Sequence, residues 1–238
     1  MNKKYIIYIT LTIIAIISLT IILKIIFDYQ KEAKIRNEIK IINNILTSEN
    51  IEENAINKIL DRTIVEKGEY KLVEKSIKLY YKDLYSSLSN LYFLLDEDNF
   101  SNYLSIINLK EDKPTFIKSK NNLQDSKNQI IEQYNDFYTR LTDESIKLSY
   151  IVDKNLSNYN RKFYLEIIEE INKKDFKNNI TQKKNNIINK IPIYNEALDF
   201  LIVNKGHWEI RNNNIIFDTT QLYEEYSEIT KKITKEPN

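Results

Sequence analysis

Apolar residues recur along most of this chain at steps of three and four, the spacing that lines one face of an α-helix. The first stretch departs from that pattern. Tyr5 to Phe27 reads YIIYITLTIIAIISLTIILKIIF, apolar on every face, with Lys24 as its only charge. A helix of this length extends roughly 34 Å, enough to cross a hydrocarbon core of about 30 Å. Thr10, Thr12, Ser18 and Thr20 are expected to return their hydroxyls to carbonyls one turn back. Lys24 is placed to snorkel towards headgroups, with Tyr5 and Tyr8 at the opposite interfacial belt. A cleavable signal peptide fits less well: its apolar region is shorter and ends in a small-x-small site, matched here only weakly by Ser18 and Thr20.

After this segment the helical stripe takes over. Residues 28–46 read as a continuation of the same helix, and 51–62 as a shorter one capped by Ser48 or Asn50. Val73, Ile77, Tyr80, Leu84, Leu88, Leu91 and Leu95 form the clearest stripe, with Gly68 as a break before it. Phe116, Leu123, Ile130 and Phe137 are each seven apart, a coiled-coil spacing, joined by Tyr134 and Leu141. Pro114 is expected to pre-set the first turn of that helix. Leu148, Val152, Leu156, Tyr159, Phe163, Ile167 and Ile171 predict a helix over 143–172, with a break at Asn155 allowed but not required. Ile187, Ile188, Ile191, Tyr194, Leu198, Leu201 and Ile202 predict another over 180–204, which Pro192 should kink or divide.

The pattern changes once more near the C-terminus. Lys205-Gly206 reads as a helix stop. Trp208 and Ile210, then Ile215 and Phe217, alternate with polar residues around Arg211-Asn212-Asn213-Asn214, which predicts a small β-hairpin within 207–217. Asp218 and Gln221 suggest a capping box for a last helix carrying Leu222, Tyr226 and Ile229. The expected fold is therefore all-α: a single N-terminal transmembrane helix followed by an elongated helical bundle with a small C-terminal β-hairpin. The expected divisions are a tail and anchor over 1–27, a juxtamembrane helical segment over 28–66, and the bundle over 67–238.

Composition removes several chemistries. Without Cys there is no disulfide framework, thiolate metal site or thiol nucleophile, and one His supports no multi-histidine metal site. Two glycines cannot build a phosphate-cradling loop. The 42 Ile, 30 Asn and 30 Lys are what an AT-rich genome supplies, so their abundance says little about binding. Basic and acidic residues nearly balance, 35 against 34, which removes the usual reason to propose a nucleic-acid partner.

The run Asn108-Leu109-Lys110-Glu111-Asp112-Lys113-Pro114-Thr115-Phe116, with Asn204-Lys205-Gly206-His207-Trp208-Glu209-Ile210 and Ile215-Ile216-Phe217, resembles uncharacterised membrane-anchored helical proteins of low-GC Gram-positive bacteria. The resemblance covers roughly 70–238. It implies the host and the architecture, and carries over no functional residues.

Individual candidates for chemistry are weak. His207 has no nucleophile or orienting acid assignable beside it. Asp96-Glu97-Asp98 fails the EF-hand pattern, because Ser101 and Ile107 stand where Gly and Glu are needed. Glu166, Glu169 and Glu170 lack the Glu-x-x-His motif of di-metal bundles and read as a solvated face beside Lys173 and Lys174. Tyr81, Tyr85 and Tyr92 could line a groove for glycan or peptide, but helical aromatic rows usually belong to a core. Lys183, Lys184 and Lys190 read as a solvated basic face. No catalytic, cofactor-binding or metal residue is assigned; Tyr194, Trp208 and Phe217 are the candidate partner-binding patch.

The expected function is a non-catalytic interaction or scaffold module of the cell envelope, anchored in the lipid bilayer through residues 5–27 and meeting a protein or cell-wall partner. Orientation rests on charge. Counting Lys and Arg alone places the C-terminal side inside, whereas the short, purely basic amino tail and the lack of Cys favour a cytoplasmic N-terminus and an extracytoplasmic body, the expectation taken forward. Two alternatives stand beside it: a cytoplasm-facing scaffold resembling membrane-tethered division regulators, and an enzyme with a carboxylate-only site.

Overall fold

The computed structural model describes residues 3–48 and 53–234. Ten helices and one hairpin occur among them. Helix α1 (Lys3–Leu46) is followed by α2 (Glu53–Asp61), α3 (Glu69–Leu94), α4 (Asp98–Ser101), a short 3₁₀ turn, α5 (Ile106–Asp112) and α6 (Ile117–Thr142). Then come α7 (Glu144–Ser149), α8 (Asn158–Glu169), α9 (Lys174–Val203), strands β1 (Trp208–Arg211) and β2 (Asn214–Phe217), and α10 (Thr220–Thr234). The chain is all-α with one hairpin. It folds as two compact units, each drawn from two stretches: Met1–Asp83 with Glu144–Ile171, and Leu84–Asp143 with Asn172–Asn238. Segment 28–66 lies wholly in the first unit, while 67–238 is shared between the two.

In the first unit α1 changes character along its length without a break. From Ile7 to Phe27 every side chain is exposed, and this is a helix long and apolar enough to cross a membrane. Thr12 and Thr20 bond back to the carbonyls of Tyr8 and Ile17, at 2.9 and 2.8 Å. About two turns further on, Ile35, Ile39, Ile42 and Leu46 are buried. They pack in a unit whose core also holds Ile56 and Leu60 of α2, Val73, Ile77 and Tyr81 of α3, and Phe163, Tyr164 and Ile167 of α8. The Tyr81 hydroxyl donates to Asn43 Oδ1 at 2.7 Å, so Tyr81 is a core residue with its one polar atom satisfied. The proposed cap Asn50 lies outside the described residues; Ser48 bonds back to the Ile45 carbonyl at 2.7 Å and helps close α1.

A buried ionic network ties this unit together. Lys78 Nζ stands 2.7 Å from Glu38 Oε1 and 2.8 Å from Glu74 Oε1, and all three side chains are less than a tenth exposed. Arg62 reaches Glu38 Oε2 through Nε at 3.0 Å and Nη2 at 2.6 Å. Glu74 also accepts the backbone N–H groups of Ile64 and Val65, at 2.9 and 2.8 Å, and Lys78 donates to the Arg62 carbonyl. Two carboxylates thus meet two cations, with the loop between α2 and α3 held in the same knot.

The helix expected over 143–172, with a break at Asn155 allowed, is two helices. Residues 150–157 leave the helix; Asp153 accepts the Asn155 N–H at 2.8 Å, an Asx turn that competes with helix, and Val152 N–H donates to Ser76 Oγ at 3.1 Å. Val152 and Tyr159, read as stripe positions, are consequently exposed. The three glutamates nearby are not simply a solvated face. Arg36 pairs with Glu166 at 3.0 Å and Glu170 at 3.2 Å, and the buried Lys147 ammonium pairs with Glu169.

In the second unit the stripes of α6 and α9 hold as read, with Leu123, Ile130, Phe137, Ile187, Ile191, Leu198 and Leu201 buried. Pro192 does not divide α9, which runs through it as one helix of 30 residues. Leu84, Leu88, Leu91 and Leu95 carry the α3 stripe into this unit. The lysines of 183–190 have partners here: Lys183 lies over the Tyr92 ring at 5.1 Å, Lys184 over Tyr134 at 4.4 Å, and Lys190 pairs with Glu97 at 2.7 Å.

Removing Lys78 leaves two buried carboxylates without their shared cation, an arrangement that costs about 3–5 kcal/mol. We expect Lys78→Ala to lower the thermal midpoint of the detergent-solubilised chain, followed by circular dichroism at 222 nm. Exposed Lys82→Ala, whose pair with Asp61 is solvated, should change it little.

Candidate functional site

The sequence motifs at 108–116 and 204–217 meet in the second unit. Pro114 is not in the first turn of α6. It lies in a turn over 113–115, and the helix begins at Ile117 after Phe116 adopts a left-handed conformation, φ 48°. The reason is Asp112, which caps α6 from the preceding helix. Its carboxylate accepts the N–H groups of Lys118 and Ser119 at 3.3 and 2.7 Å, and the Ser119 hydroxyl at 2.6 Å. Asn108 completes the knot by donating to Ser119 Oγ and the Tyr103 carbonyl, both at 2.8 Å. Burial raises the Asp112 pKa, but these hydrogen bonds outweigh it and hold the carboxyl below its ordinary 3.8.

The left-handed turn drives Phe116 fully into the core, where it stacks on Trp208 at 6.2 Å between ring centroids. Trp208 is half-buried and its indole N–H donates to the Leu201 carbonyl at 2.7 Å. The hairpin that presents it is built as its sequence predicts. Trp208 faces Phe217 and Ile210 faces Ile215, while Asn212 and Asn213 both take positive φ, 52° and 57°, the geometry of a tight type I′ turn. The last helix is capped differently from expectation: the Thr219 hydroxyl accepts the Leu222 N–H at 3.3 Å, and Asp218 is turned to His207 Nδ1 at 3.2 Å instead.

The three patch residues enter three different ring contacts. Phe217 packs on Tyr226 and Phe200, at 5.4 and 6.0 Å, and burial pushes the Tyr226 hydroxyl up to about 12. Tyr194 is buried against Phe100 at 6.3 Å. Their aromatic faces are thus used in packing. His207 is exposed, with Asp218 beside it at 3.2 Å, an acid that the sequence reading did not assign there. Tyr85, like Tyr81, is buried. Among the described residues no group of three or more His, Asp or Glu is placed to hold a metal ion.

One recess was not foreseen. A groove of about 740 Å³ opens in the first unit where the apolar part of α1 ends. It is lined by Lys24, Asp28, Tyr29, Lys31 and Glu32 of α1, by Gly68, Glu69 and Tyr70 at the start of α3, and by Ser157, Tyr159 and Asn160 at the start of α8. Glu32 accepts the hydroxyls of Tyr70 and Tyr159, at 2.7 and 2.5 Å. Glu69 accepts Ser157 Oγ–H at 2.5 Å and Asn160 Nδ2–H at 2.6 Å, and the bond from Ser157 above all holds its carboxyl below the usual range. Lys31 pairs with Asp28 at 3.1 Å and lies over the Tyr70 ring. These residues come from three distant stretches, so no local motif marks them; the only sequence signal is Lys24 and Tyr29 flanking the end of the apolar run. No protein family, curated protein or solved structure matches the chain.

Two measurements follow from the second unit. Trp208 is the only tryptophan, so its fluorescence reports that unit alone. Trp208→Phe keeps a ring on Phe116 but strands the Leu201 carbonyl, and should cost about 1–2 kcal/mol; in that variant stability is read by near-ultraviolet circular dichroism. For Asp112 the folded pKa lies below the unfolded one. Its contribution is therefore complete above pH 3.8 and is lost as pH falls through the lowered folded value. Fluorescence-detected urea midpoints should fall on acidification through this window, with a shallower fall in Asp112→Asn.

Proposed function

We infer that this chain is a membrane-tethered helical interaction or scaffold module of the cell envelope, non-catalytic, with its body extracytoplasmic. The observation that carries the reading is the unbroken passage of α1 from an exposed apolar half into the core of the first unit. A helix with lipid-compatible side chains on all faces, continued by one that is amphipathic and packed, is what holds a folded body at a bilayer surface. The deeply buried acids also support a structural reading. Glu38 and Glu74 are neutralised by Lys78 and Arg62, so neither stands unpaired as a general acid or base requires. Burial raises the Glu38 pKa, and the hydrogen bonds and charge of Arg62 and Lys78 outweigh it and bring it below the ordinary value.

With Tyr194, Trp208 and Phe217 packed inside the second unit, the partner would meet the outer faces around them instead. Exposed apolar side chains are available in that unit, among them Phe93, Ile107 and Val203. The reversed topology, with a cytoplasm-facing scaffold, is decided by the same experiment. Protease added to intact protoplasts should degrade the 28–238 body; full protection until the membrane is permeabilised would overturn the extracytoplasmic placement and establish the reverse.

A further inference from the structure

We propose that the groove at the end of the apolar half of α1 is a headgroup site for a phospholipid bearing both a phosphate and a primary ammonium. The inference rests on the membrane-tether reading, since only a spanning α1 puts Lys24 to Glu32 at headgroup depth. The groove's charges are segregated by their partners. Lys31 is already paired with Asp28, while Lys24 lines the groove close enough for its charge to act on Glu69. The two remaining carboxylates, Glu32 and Glu69, are held by neutral donors, the hydroxyls of Tyr70, Tyr159 and Ser157 and the amide of Asn160. Those donors orient both carboxylates without cancelling their charge.

The groove's acceptors call for a donor-bearing ligand. A primary ammonium supplies three N–H donors for the carboxylate of Glu69, with exposed Tyr29 and Tyr159 offering ring faces to a cation. Lys24 then takes the phosphate. A purely anionic headgroup would gain Lys24 but face Glu32 and Glu69; a quaternary ammonium would reach the ring faces but donate nothing to Glu69.

The test uses the full chain reconstituted into vesicles of equimolar phosphatidylethanolamine, phosphatidylglycerol and phosphatidylcholine. Flotation comes first: a chain that does not float with the vesicles loses the tether reading, and this inference with it. For a chain that floats, native mass spectrometry of protein released from the vesicles reads the retained lipid. We expect phosphatidylethanolamine to be retained roughly tenfold over each of the other two, the scale of one charge-assisted hydrogen bond. Glu69→Gln, which can still accept from Ser157 and Asn160, should remove most of that preference. Lys24→Gln, outside the packed body, should weaken retention while flotation and circular dichroism stay unchanged. Equal retention of the three lipids, preference for phosphatidylglycerol or phosphatidylcholine, or a preference unaltered in both variants overturns the headgroup site and leaves the tether standing.

Discussion

The first unit is organised by one buried cation. Lys78 sits where α1, α3 and the loop between α2 and α3 converge, and it is the group that both Glu38 and Glu74 share. Removing charges from water is expensive, and the attraction between them repays that cost only if the geometry is good and the remaining lone pairs are used. Here they are used: Arg62 takes the second oxygen of Glu38, and two backbone N–H groups take Glu74. Apolar helices alone would tolerate sliding by a turn, because Ile follows Ile along α1. The ionic knot does not tolerate it, since a one-turn shift would carry Glu38 about 5.4 Å from Lys78. Specific register in a chain so rich in one apolar residue thus comes from its polar contacts.

That same richness explains what the sequence reveals and what it hides. Helix positions are legible because the steps of three and four in 73–95 and 116–141 are long and sustained. The hairpin is legible because Asn212 and Asn213 offer left-handed conformations between two alternating segments. The helix expected over 143–172 is misleading for a compositional reason: with 42 isoleucines and many leucines and tyrosines, a stripe persists across 150–157 by abundance, while Asp153 turns the backbone out of the helix. Pro114 misleads in another way, since the cap that starts α6 comes from Asp112, five residues before the helix begins.

The groove and the ionic knot are invisible in sequence because both are assembled from distant stretches. Glu38 and Lys78 are separated by forty residues of chain, and Glu32 and Tyr159 by more than a hundred, so local spacing carries no trace of either pair. Aromatic residues such as Trp208 and Phe217 do stand out locally, and their prominence is explained by packing. Each fills a space made by a chain reversal: Trp208 meets the left-handed Phe116, and Phe217 closes the turn into α10.

Helix α1 contains neither glycine nor proline between Lys3 and Leu46, and so lacks the residues at which sharp kinks most often form, while the back-bonded Thr12 and Thr20 favour at most a gentle bend in its apolar half. Its packed portion beyond the apolar run extends roughly 28 Å. Transmembrane helices tilt by about 20° on average, and over such an arm that angle displaces the far end by about 10 Å. A spanning α1 would therefore act as a lever: changes in bilayer thickness that alter its tilt would be delivered to Ile42 and Leu46 in the core of the first unit.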